Sequence, residues 1–284
     1  EWDGIRLGDW RGDRTEDKEG FFLYLRDHDS SEVWRLGGGV EQKPGWSGSS
    51  GAARLDGRID LFNAHSGIEC LSRVFIPPDI NMEVRRLSIR NLSNRRRTIE
   101  IRSLINVVLN TAAAHAAHPV FSRLFLQTEV HPEERLLLAH RRPRSPEERF
   151  PDLFHTVVGG LDWRFETDRG LVVGRRLPGE WPQALVIAPS DTGRVGNVLD
   201  PVLSLSVTLI VEAGGFASAD FALGVAGDSN EARQLARRLA DRSQVDSWMA
   251  GAEAFDRRRR EDLGLTREAA DSLEALAGGV LYGE

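Results

Sequence analysis

The sequence is poor in the features that would tie it to several large classes of protein. A single cysteine, Cys70, among 284 residues leaves no internal disulfide framework possible, which fits a reducing compartment. No apolar run approaches the roughly 20 residues that a membrane-spanning helix needs. A formal charge of -6 excludes the concentrated Lys and Arg excess of a nucleic-acid surface. No signal peptide is visible, and the chain opens on Glu1 rather than Met, so it reads as a piece of a longer parent. No strand–helix–strand alternation appears, which excludes an α/β sheet.

What is present is ordinary globular material, 40% hydrophobic and 28% charged, with strand patterns up to about residue 227. Leu203, Leu205, Val207, Leu209 and Val211 alternate with Ser204, Ser206 and Thr208. That period of two predicts one face on a core and the other toward water. Ile99, Ile101, Ser103, Ile105 and Val107 repeat it, as do Phe221, Leu223 and Val225. Between Met82 and Val84 and the later Leu87 and Ile89 the apolar phase slips, which predicts a bulge near Arg85 and Arg86. Pro77-Pro78, Asn91 to Asn94, Gly159-Gly160 and Gly214-Gly215 supply turn chemistry between the runs.

Residues 228–284 change to helical spacing. Ser229 is the expected N-cap, followed by Leu235 and Leu239. Trp248, Ala252 and Phe255 fall on one helical face. A third stretch opens at Thr266 and carries Leu273, Leu276 and Val280, an apolar stripe that a neighbouring domain would cover. The expected fold is mainly β, an antiparallel sandwich at 1–227 followed by C-terminal linker helices at 228–284.

Several stretches carry a resemblance. The strongest is His118-Pro119-Val120-Phe121-Ser122-Arg123-Leu124-Phe125-Leu126-Gln127-Thr128-Glu129. Arg141-Arg142-Pro143-Arg144-Ser145, Glu166-Thr167-Asp168-Arg169 and Leu199-Asp200-Pro201-Val202-Leu203-Ser204-Leu205 follow in order. Asn91-Leu92-Ser93 and an opening hairpin at Phe22 to Asp27, with Trp34 shortly after, complete the set. Together they resemble the domain that precedes the catalytic barrel in the cyclic β-1,2-glucan synthase and cellobiose-phosphorylase-like family. That family is glycoside hydrolase family 94, formerly glycosyltransferase family 36.

The resemblance implies a β-supersandwich of the galactose mutarotase-like type, then linker helices, then an (α/α)6 barrel that holds the active site. It implies inverting phosphorolysis of a β-glucan, in which a barrel carboxylic acid protonates the leaving oxygen and inorganic phosphate attacks from the other side. This domain would supply no catalytic residue, need no cofactor of its own and bind no metal. Its partners would be the barrel, a second copy in a homodimer, and a β-glucan oligosaccharide. The module would trim glucan chains in the cytoplasm, with the parent attached to the inner membrane. The resemblance also places a loop on the acceptor side of the neighbouring subunit's cleft. The residues matching it are His118, Phe121, Ser122 and Arg123, where Ser122 replaces a longer amide found in cellobiose-specific relatives. The Arg123 guanidinium suits two hydroxyls or a phosphate oxygen.

Other signals have plainer readings. His115 and His118 form an H-x-x-H pair without the further ligands that a metal requires. Arg141, Arg142 and Arg144 beside Pro143, Glu147 and Glu148 read as a solvated hinge with internal ion pairs. Glu166, Asp168 and Arg169 read as a turn-stabilising salt bridge. Arg257 to Arg260 reads as the solvated outer face of a helix, and Cys70 as core. Of seven tryptophans, Trp46 in a Gly/Ser-rich loop is the one placed to stack on a sugar. It supports an alternative class, an autonomous carbohydrate-binding module. A mutarotase-like epimerase would need a His and Glu pair that no spacing singles out.

Overall fold

Two antiparallel sheets face one another in a computed structural model that describes residues 1–9, 20–37, 48–174, 183–186 and 193–282. The small sheet contains β1 (Ile5–Gly8), β2 (Phe21–Asp27), β3 (Val33–Arg35), β8 (Arg97–Thr111), β12 (Leu161–Asp168) and β13 (Pro201–Val211). Its order is β12-β13-β8-β2-β3, with β1 also paired to β8. The large sheet runs β4 (Ser49–Leu55), β5 (Arg58–His65), β6 (Ile68–Phe75), β7 (Met82–Asn91), β14 (Phe216–Ala226), β11 (Asp152–Val158), β10 (Leu136–Arg141) and β9 (Leu126–His131). The expected opening hairpin is the β2–β3 pair.

The facing sides make the main core. Leu25, Trp34, Ile101, Ile105, Leu203, Leu205 and Val207 meet Leu87, Ile89, Leu137, Leu153 and Phe221. Cys70 lies in it, and burial pushes its thiol pKa up. Trp2 and Trp163 pack at its margin, and Trp248 is buried on the sheet-facing side of a C-terminal helix. Trp10, Trp46 and Trp181 fall outside the described residues, as do Gly38-Gly39 and Pro44-Gly45.

The alternation correctly marks the inner faces but not the outer ones. Ser204 and Ser206 are buried rather than wet. Short helices α3 (Arg169–Val172) and α4 (Gln183–Val186) cover that side, packing Val172 and Leu185 on Tyr24, Leu104 and Val202. Arg102, fully buried there, donates to Glu100 and to the Ser206 hydroxyl, each at 3.2 Å. A buried guanidinium is tolerated only with such partners.

The expected bulge at Arg85 and Arg86 is absent. β7 pairs in unbroken register with β6 and β14. The slip instead marks a strand with two apolar faces. Leu87 and Ile89 point between the sheets, while Met82 and Val84 point outward under helices.

Those helices are α5 (Ser229–Leu239) and α6 (Arg242–Asp262). They lay Ala232, Leu235, Leu239, Val245, Trp248 and Ala252 on the large sheet. The N-cap of α5 is Asp228, one residue before the expected Ser229, and it accepts from the Asn230 and Glu231 amides. Phe255, expected on the buried face of α6, is half exposed. The Arg257 to Arg260 run is not wholly solvated either. Arg257 and Arg260, together with Arg267, converge on Asp56 in the β4–β5 turn. The Arg260 bond is the leading reason that the Asp56 carboxyl titrates below its ordinary range. The third helix, α7 (Arg267–Tyr282), carries Leu273, Leu276 and Val280 open to solvent. No helix among the described residues is long and apolar enough to cross a membrane.

Candidate functional site

The segment singled out by the sequence leaves the end of β8 as two short helices, α1 (Ala112–Ala117) and α2 (Pro119–Arg123). Its exit is set by a bulge. Arg6 pairs with Asn110 and Gly8 with Val107, so Leu7 faces two residues of β8. Leu109 in that bulge takes φ +45°, a left-handed conformation that costs a leucine about 1–2 kcal/mol. The bend re-aims the chain out of the sheet. Thr111 then caps α1, accepting from the Ala114 amide at 3.3 Å.

Buried polar groups hold the base of the segment. His115 bonds Asp9 at 3.0 Å, and both are buried. The Ser122 hydroxyl accepts from Asn110 Nδ2 at 2.9 Å. Arg141 Nη1 donates to the Ser122 carbonyl at 2.8 Å and to its hydroxyl at 3.3 Å. Arg141 also lies over the Phe125 and Phe150 rings, 5.4 and 5.3 Å from their centroids. It is therefore a buried strut, which corrects the solvated hinge read from Arg141 to Arg144. Only the Arg144–Glu148 pair, at 3.0 Å, matches that reading.

Arg123 Nη1 meets Asp200 Oδ1 at 2.9 Å. Arg169 approaches the other Asp200 oxygen at 3.8 Å and donates to Asn106 Oδ1 at 2.6 Å. One carboxylate thus ties the tip of the segment to the start of α3 and to β8. A guanidinium has five N–H donors, so Arg123 keeps donor capacity beyond the Asp200 contact. Asp168 caps α3 and pairs with Arg194 at 3.0 Å, a turn-stabilising pair whose cation is Arg194 rather than the expected Arg169, which turns to Asp200 and Asn106. Glu166 is fully buried and accepts from the Thr167 and Asp168 amides.

The four residues picked from the sequence fall on one short turn with different orientations. His118 and Phe121 are exposed, Ser122 is buried with its hydroxyl turned into the protein, and Arg123 is partly covered. Val120 and Leu124 are exposed beside Phe121. Among the described residues no three His, Cys, Asp or Glu side chains group to hold a metal ion. Sequence reasoning missed the supporting set of Asp9, Asn110, Arg141 and Asp200. Two of these stood in quoted motifs, but their role depends on contacts across 19 and 77 positions of chain.

Comparison with known proteins adds the family. The glycosyl hydrolase 94 supersandwich domain profile matches residues 2–242. The chain belongs to that family. The cyclic beta-(1,2)-glucan synthase NdvB of Rhizobium meliloti (strain 1021) is 26% identical over 291 residues, which cover 99% of this chain and 10% of that protein. The supersandwich domain therefore spans about a tenth of the length of this curated relative. A bacterial glucoamylase complexed with acarbose aligns over 84% of this chain and 31% of its own, at 10% identity and a TM-score of 0.48. A putative kojibiose phosphorylase from the human microbiome aligns over 83% and 27%, at 6% identity and the same score.

Proposed function

We propose that this supersandwich domain is the non-catalytic partner of an inverting glycoside phosphorylase module within a cyclic β-1,2-glucan synthase. It borders the acceptor side of a cleft whose acid and phosphate site lie on an (α/α)6 barrel. One observation carries the proposal. The Thr111–Arg123 segment has a base fixed by His115–Asp9, Ser122–Asn110 and Arg141–Ser122, yet presents Phe121 and part of Arg123 outward. A rigidly based turn with an exposed aromatic and spare N–H donors suits a sugar, whose faces are apolar and whose rim is hydroxyls. The exposed Val120, Phe121 and Leu124 suit a homodimer contact, and the open α7 stripe suits the barrel.

The test is phosphorolysis of a linear β-1,2-glucan by the full-length parent carrying Arg123→Ala or Phe121→Ala. Loss of a charged hydrogen bond to substrate raises KM about tenfold or more, with Arg123→Lys intermediate. A parent that kept its rate and its KM in both alanine variants would overturn the proposal.

A further inference from the structure

A groove lies at the same end of the sandwich as the Arg123 turn, walled by the Trp2–Ile5 turn and the segment before β11. Its apolar surfaces are Trp2 and Phe150, and Asp3, Asn81, Arg149 and Glu231 stand around them. The volume, about 340 Å³, is within the range of small-molecule sites. We propose that this groove is a saccharide subsite for a neutral gluco-oligosaccharide, continuous with the Arg123 turn. The inference rests on the proposed function for the nature of the chain and adds a place for sugar units beyond that turn.

The lining chemistry selects the ligand class. Two aromatic surfaces beside a ring of short polar groups match a pyranose, which offers C–H faces and an equator of hydroxyls. Asn81 and Arg149 can donate, while Asp3 and Glu231 can accept. Two carboxylates against one guanidinium disfavour an anionic ligand. Asp3 and Asn81 have no side-chain partner among the described residues, which leaves them available to hydroxyls. Asp3 is held outward by a tight turn. Trp2 and Ile5 exchange backbone hydrogen bonds of 2.9 and 2.8 Å, with Asp3 at φ +45° and Gly4 at φ +75°.

Continuity with the turn is structural. Arg141 lies over Phe150 and donates to the Ser122 carbonyl. Ile5 pairs with Thr111, the residue that caps α1. One wall of the groove and the base of the turn are therefore built from the same contacts.

The experiment titrates the ¹⁵N-labelled domain with a linear β-1,2-linked gluco-oligosaccharide, following the Trp2 indole N–H, with inorganic phosphate as a control. The expected result is a saturable shift of that resonance by the oligosaccharide and not by phosphate. Trp2→Ala, and the exposed variants Asn81→Ala and Arg149→Ala, should weaken binding at least about tenfold, while Arg90→Ala, on the exposed far end of β7 from Asn81, keeps the Trp2 shift. If Trp2→Ala fails to fold, the two exposed variants decide. No shift at high sugar concentration, a response to phosphate, or binding lost only in Arg123→Ala would overturn the groove assignment. The last outcome would leave the proposed function standing, and the parent's phosphorolysis assay judges that function separately.

Discussion

Ser103 on β8 and His155 on β11 are joined by a 2.8 Å hydrogen bond in the middle of the sandwich, linking the two sheets through side chains. His155 Nδ1 lies 2.8 Å from the Ala222 carbonyl. That acceptor fixes the proton on Nδ1 and leaves Nε2 to accept the Ser103 hydroxyl. Ser103 Oγ in turn accepts from the Leu205 amide at 2.9 Å. Both residues are fully buried, so the pair fastens the sheets and meets no substrate.

The bond has a pH signature. Burial pushes the His155 pKa down from 6.5 to about 3. Unfolded chain takes up a proton near 6.5 that the folded chain refuses until about 3, so stability falls with falling pH across that window. The slope is about 1.4 kcal/mol per pH unit. Chemical denaturation at pH 7 and pH 5 should show this loss in the wild type. The double variant Ser103→Ala, His155→Phe should show a smaller one, and equal losses in the two proteins would refute the assignment.

Gly57 should tolerate no side chain. It sits in the β4–β5 turn at φ +64°, and a Cβ there would lie 2.3 Å from the Ala252 carbonyl of α6. The neighbour is backbone, so the helix itself must shift. Gly57→Ala is expected to cost about 2 kcal/mol or more, combining left-handed strain with the clash. Thermal unfolding and hydrogen exchange along α6 would register it, and an unchanged midpoint would show that α6 is not seated against this turn.

The fold class was legible because period-two alternation survives in β8 and β13, whose inner faces read off directly as Ile99, Ile101, Leu203 and Leu205. The outer faces were not. Ser204, Ser206 and Arg102 look solvent-facing in any single strand and become buried only because α3 and α4 return from distant sequence. The same blindness turned a two-sided β7 into a supposed bulge, since only α5 and α6 explain why Met82 and Val84 face outward. At the site, the motif containing Ser122 and Arg123 was visible. The struts Asp9, Arg141 and Asp200 were not, because pairing across long chain separations has no local pattern.

Asp56 gathers Arg257, Arg260 and Arg267 at one turn, and Arg267 also donates to the Arg54 carbonyl at 2.9 Å. Removing the carboxylate takes the shared partner from three clustered guanidiniums, of which Arg267 keeps Asp271 at 3.1 Å. Asp56→Asn should therefore loosen the α6–α7 junction more than an ordinary surface substitution would. Limited proteolysis near Leu263 should accelerate, and 0.5 M salt should reduce the difference from wild type, as screening weakens the repulsion. Equal cleavage rates at low salt would show that the cluster holds nothing in place.

Arg141 offers the sharpest test of how the Phe121–Arg123 turn is supported. Arg141→Met keeps an apolar stem against Phe125 and Phe150 but takes from the Ser122 carbonyl its 2.8 Å donor and leaves it the longer 3.5 Å contact from the Phe125 amide. Loss of a hydrogen bond from a charged donor costs about 1.5–3 kcal/mol. Ser122→Ala removes only the hydroxyl, which accepts from Asn110, and spares the carbonyl bond. Hydrogen exchange across residues 119–124 should accelerate by roughly tenfold or more in Arg141→Met and less in Ser122→Ala. The order matters because both variants alter packing near the turn, but only one breaks the strut between β10 and α2. Equal protection in the two variants would mean that the Arg141–carbonyl bond adds nothing to the His115–Asp9 and Arg123–Asp200 contacts, and the rigid base on which the sugar-contacting role depends would have to be sought in those.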